Sequence, residues 1–129
     1  MPWTTAHSSL DCACTVFAGR LPLRSYRDLP AVVSGLRRTR RHMACAAGLA
    51  GHAAAVELSA PALWTVSAWT NRADLVRFEH SHAHQAARSA LRPRLWPATL
   101  AVWTCRCSDL PVTWAEVRRR IEAASQITS

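Results

Sequence analysis

The chain alternates between two hydrophobic periods, and the order in which they succeed one another constrains the fold more than any single motif. Short β-branched and aromatic runs stand at Cys12–Gly19 (CACTVFAG), Leu63–Thr70 (LWTVSAWT) and Ala98–Cys107 (ATLAVWTCRC), and each reads as a strand. Met43–Leu58 is built from small residues interrupted by glycine, and reads as a strand with an irregular lead-in. Helical spacing fills the intervals. Leu29, Val32, Val33 and Leu36 fall at i, i+3, i+4 and i+7. Asn71 can cap a helix from Arg72, with Asp74 three residues on and Leu75, Phe78 and Ala86 as its apolar stripe. After the break at RPRLWP and the strand that follows, Thr113 and Glu116 have capping-box spacing. Val112 and Val117 can close a hydrophobic staple over this last helix.

The order is strand, helix, strand, strand, helix, strand, helix. This is an α+β, ferredoxin-like split βαβ pattern with a four-stranded antiparallel sheet. Residues 1–11 are expected to form a flexible N-terminal tail, and 12–129 a single domain. Helices are expected on one face of the sheet. The other, rich in tryptophan, valine and cysteine, then needs a cover, most simply a second copy of the chain, so a homodimer is expected. The space between sheet and helices is a natural place for an apolar pocket with a few polar groups.

Composition serves mainly to exclude. Half the residues are apolar and 19% are charged, a globular balance. The net charge is +8, but all 16 basic residues are arginine, which a GC-rich coding sequence produces without any acidic partner. They are scattered apart from Arg37–Arg41 and Arg118–Arg120, both near helix ends where cations complement the dipole. No nucleic-acid partner is therefore expected. The start MPWTTAHSSLD lacks the basic and apolar regions of a signal peptide. No apolar run reaches the roughly 18 residues of a membrane span. A cytoplasmic protein with no membrane partner is expected, its five cysteines held as thiols. Cys12 and Cys14, and Cys105 and Cys107, would bring four thiols to one end of the sheet. Residues i and i+2 on a strand stand roughly 6.5–7 Å apart, too far for a shared zinc. They read as small buried apolar side chains, with a redox-active cross-strand pair as the alternative, and no metal is expected.

The stretch RFEHSHAHQAARSAL places His80, His82 and His84 at alternating positions. In an unbroken helix from Arg72 to Leu91, His82 shares the face of Leu75, Phe78 and Ala86, while His80 and His84 point away. That i, i+4 pair brings no further ligands and is a weak metal motif. No glycine or proline forces a break, yet a break would reverse the phase.

TVSAWTNRADLVRFEHSHAH also resembles the dimeric α+β barrel superfamily, which includes antibiotic-biosynthesis-monooxygenase domains and spheroidene-monooxygenase-like small proteins. Ser67, Trp69, Leu75, Phe78, Ser81 and His84 carry the resemblance. LPVTWAEVRRRIEAA is similar to the terminal helix of that group, so the likeness extends over Leu63–Ala123. It implies a homodimer with a pocket in each subunit, and a monooxygenase-like enzyme oxidising a small aromatic or polyketide-type metabolite with molecular oxygen. The enzyme would work without a cofactor or with haem. It also implies a short helix ending near Glu79 and a second from about Ala83, which turns His84 into the pocket.

On that reading His84, or else His82, is the base, since an imidazole near pKa 6.5 can take a proton from a phenol or enol. Arg88, or else Arg92, is placed to hold the developing oxyanion. Trp64, Trp69, Phe78 and Trp103 would form the substrate-binding walls. The plainer alternatives are core packing for the tryptophans and solvated helix surface for the arginines. Two other functions stand beside oxygenation: a cyclase or isomerase on the same scaffold, and a non-catalytic binder of a lipophilic ligand or haem.

Overall fold

The computed structural model describes residues 3–5 and 13–128. Strands β1 (Thr4–Thr5), β2 (Ala13–Pro22), β3 (Leu49–Glu57), β4 (Ala62–Trp69) and β5 (Thr99–Arg106) alternate with helices α1 (Leu29–Met43), α2 (Arg72–Glu79), α3 (His82–Leu91) and α4 (Trp114–Thr128). The sheet is antiparallel throughout, in the order β1-β3-β4-β2-β5. The four long strands give the ferredoxin-like α+β fold that the periodicity implies, with first and last strands side by side. The two-residue β1 pairs with His52 and Gly51 where only a tail was expected. The rest of that tail, with Cys12, lies outside the described residues.

The capping residues act where the sequence places them. Asn71 Oδ1 accepts from the Asp74 backbone N–H at 2.8 Å, starting α2. Thr113 Oγ1 accepts from the Glu116 N–H at 3.2 Å, starting α4. Glu116 does not complete the capping box, because its carboxylate is taken by Arg119 and Arg120. Gly48 enters β3 with φ of +80°, a conformation that β-carbon sterics disfavour, and a side chain there would collide with Asp74.

Alternation divides the sheet into two faces. Leu63, Thr65, Ser67 and Trp69 of β4 turn toward α1, α2 and α3, where Leu63 joins Leu23 and Val32, and Trp69 joins Leu49 and Leu75. Val66 and Ala68 turn the other way, into the main core with Val16, Trp103, Val117 and Ile121. This corrects the expectation of helices on one face only. Val117 and Ile121 form an i, i+4 apolar stripe on α4 that must itself be buried, and it lies across the second face of its own chain.

The cysteines correct a second expectation. Cys14 and Cys107 are joined in a buried disulfide with Cα atoms 5.7 Å apart. Cys14 faces Cys105 in the strand register, but β5 ends at Arg106. Cys107 therefore starts a turn instead of repeating the direction of Cys105, and this brings it back to Cys14. Cys105, partly buried, and Cys45, exposed, are free thiols. Among the described residues no helix is long and apolar enough to cross a membrane, and no group of three or more potential ligands could hold a metal ion.

Candidate functional site

The break between α2 and α3 decides where the histidines point. Ser81 leaves the helical conformation (φ −63°, ψ 147°) and its hydroxyl serves both helices. It donates to the Phe78 carbonyl at 2.7 Å and accepts from the His84 N–H at 3.3 Å. A serine N-cap thus restarts the helix with no glycine or proline. With the phase reset, His84 turns inward onto Phe78, ring centroids 5.0 Å apart, while His80 and His82 are exposed. Phe78 in turn meets Trp69 at 5.3 Å.

These rings wall a cavity of about 110 Å³ between the sheet and α1–α3. Phe17, Leu36, Met43 and Leu75 complete its apolar lining, and the α1 side brings Thr39 and Arg40 to it. Thr65, Glu79, Ser67, His52 and His84 complete its polar lining. Ser67 is 8% exposed, and its Oγ accepts from the Trp69 indole N–H at 2.9 Å, leaving its own proton for another partner. His52, 6% exposed, stands opposite Ser67 on β3. His84 Nδ1 is buried with no hydrogen-bond partner. Burial holds the pKa of both imidazoles below the ordinary value, reinforced at His84 by Arg88 and at His52 by Arg40. Both are neutral near pH 7, and a neutral His84 with its proton on Nε2 presents Nδ1 as a bare acceptor.

The expected site residues therefore separate. His84, Trp69 and Phe78 come together, and Ser67 with them. His82 is exposed on the outer side of α3. Arg88 is exposed one turn beyond His84; it does not line the cavity and acts on His84 through its charge alone. Trp64 and Trp103 lie on the opposite face of the sheet, because each is out of phase with Trp69 and its cross-strand partners. Trp64 Nε1 donates to Glu57 at 2.8 Å beside Arg20, and Trp103 lies under Arg120 at 5.1 Å. An open cleft of about 690 Å³ beside Trp64, Trp114 and Arg118 belongs to that face. Sequence reasoning missed His52. Its signal was a lone imidazole in an alanine-rich strand, two residues before Ala54 on the same face. A haem, with its multi-ring macrocycle, does not fit a cavity of about 110 Å³, so His84 is not arranged as a haem ligand.

No family model and no curated protein sequence matches the chain. Solved structures do share its fold. SnoaB, a cofactor-independent oxygenase from Streptomyces nogalater, is 22% identical with a TM-score of 0.62, over 77% of this chain and 98% of that one. A putative antibiotic biosynthesis monooxygenase from Nitrosomonas europaea is 10% identical with a TM-score of 0.68, over 82% and 100%. A dimeric ferredoxin-like protein of unknown function from Thermobifida fusca is 10% identical with a TM-score of 0.64, over 77% and 97%. The ferredoxin-like α+β fold is common to these structures and this chain.

Proposed function

We propose that the chain is a monooxygenase-like enzyme that oxidises a small aromatic or polyketide-type metabolite, with His84 as the base. The observation that carries this reading is the buried, unpartnered Nδ1 of His84 at an apolar cavity. Leaving such an atom unpaired costs about 1–3 kcal/mol, a cost that a substrate hydroxyl would relieve. The cofactor-independent oxygenase among the structures of the same fold supports it from outside the site.

His84 Nδ1 takes the hydroxyl proton of a phenol or enol. The Ser67 hydroxyl donates to a second oxygen of the substrate, and the Arg40 charge favours the anion. The electron-rich anion reduces dioxygen directly. One oxygen atom enters the ring and the other leaves as water, so a phenol with an unsubstituted para carbon becomes a quinone and supplies all the electrons itself. Aerobic turnover with isotopically labelled dioxygen tests this: label in the product supports it, and unlabelled product refutes it. A second reading rests on His52. Two neutral imidazoles on one cavity can remove a proton and return it elsewhere, which is isomerase or cyclase chemistry, and the product would then keep the mass of the substrate.

A homodimer completes the proposal, supported by the outer position of β5 and the exposed Leu100 and Val102 on it. Sedimentation giving only a monomer would overturn that part.

A further inference from the structure

The size of the cavity and the placement of its polar groups narrow the substrate beyond the reading above, on which this inference rests. An apolar cavity of about 150 Å³ takes up one benzene. At about 110 Å³ this one is smaller still, so it takes at most a single ring and has no room for a second fused ring behind it. The walls that set the limit are rigid where it matters. Trp69 is fully buried, fixed by its bond to Ser67 and by Phe78 against its ring. Leu36 and Met43 close the α1 side.

Two polar groups inside can engage a ligand. His84 Nδ1 has no partner and, with the ring proton on Nε2, takes a donor. The Ser67 hydroxyl, whose oxygen already accepts from Trp69, has a proton to give. We infer that the site takes a single-ring polyhydric phenol, one hydroxyl donating to His84 Nδ1 and a second oxygen accepting from Ser67, and that it excludes fused polycyclic phenols.

Calorimetric titration of the full chain with resorcinol, naphthoresorcinol and anthrone tests this. Resorcinol is expected to bind at one site per chain, naphthoresorcinol at least about tenfold more weakly, and anthrone not at all. His84→Leu should weaken resorcinol by about tenfold or more, because its hydroxyl then has no acceptor. Leu36→Ala should admit naphthoresorcinol with an affinity near that of resorcinol; Met43→Ala replaces it should that variant fail to fold. Wild-type protein binding naphthoresorcinol or anthrone as tightly as resorcinol overturns the inference, as does resorcinol binding that is indifferent to His84→Leu. Oxygen uptake with pyrogallol in the same samples separates the two claims. Selective binding without uptake counts against the oxygenase reading and leaves the single-ring assignment standing.

Discussion

His84→Leu should stabilise the protein while removing its base. The wild-type imidazole buries an unpartnered nitrogen, at a cost of about 1–3 kcal/mol. Leucine is of similar volume and removes that cost, but forfeits the ring contact with Phe78, worth about 0.5–1.5 kcal/mol. The net gain at pH 8 is about 1 kcal/mol, or about 4 °C in Tm for a domain of this size. Acid widens the gap. Burial holds the His84 pKa below its unfolded value, so the unfolded chain takes up the proton first as pH falls. Wild-type stability is therefore fully present above about pH 6.5 and declines below it. The leucine variant is spared one such group and keeps only the matching loss at His52. The imidazole is half-buried, so solvent screening keeps the added difference below the full ~1.4 kcal/mol per pH unit. Urea denaturation of both proteins at pH 8 and pH 5.5 measures it. A variant less stable than wild type at pH 8, with a difference that does not widen at pH 5.5, would refute the reasoning: His84 would then be a satisfied packing residue.

Ser81→Ala removes the shared cap of α2 and α3; it should cost about 1 kcal/mol in thermal denaturation. It should lower turnover further than that loss accounts for, because the phase of His84 depends on the cap. Gly48→Ala should lower the urea midpoint by the equivalent of about 1–2 kcal/mol for the left-handed backbone alone. The collision with Asp74 adds to that. Cys14→Ala should destabilise the oxidised protein by about 2–4 kcal/mol. Mass mapping without reductant should find Cys14 linked to Cys107, with Cys45 alkylated faster than Cys105.

The order of strands and helices was legible because each long element carries its own period and its own cap: LWTVSAWT can be little but a strand, and Asn71 and Thr113 mark helix starts that the structure keeps. What escaped were properties of chain reversal. Cys105 and Cys107 share a face only while the strand continues, and it stops at Arg106. Trp64 and Trp69 look alike in composition, yet an odd spacing on one strand sends them to opposite faces, as the separate clusters around them show. A list of aromatic residues cannot register that difference; strand phase can. The second helical cover is a similar case. The start of the last helix was legible at Thr113, but which sheet face receives the helix depends on the turn after β5.

The site itself depends on two serines more than on its histidines. Ser67 accepts from Trp69 two residues on, which fixes the indole as the cavity wall and frees the serine proton for a ligand. Ser81 binds the Phe78 carbonyl on one side and the His84 amide on the other. Trp69, Phe78 and His84 then follow one another as a row of rings, each about 5 Å from the next. An unbroken helix would have kept His82 with Leu75 and Phe78 and turned His84 away from the cavity. The residue that gives His84 its place is therefore Ser81, and a chain of this fold that keeps the histidine without an N-capping side chain three residues before it should not have this site.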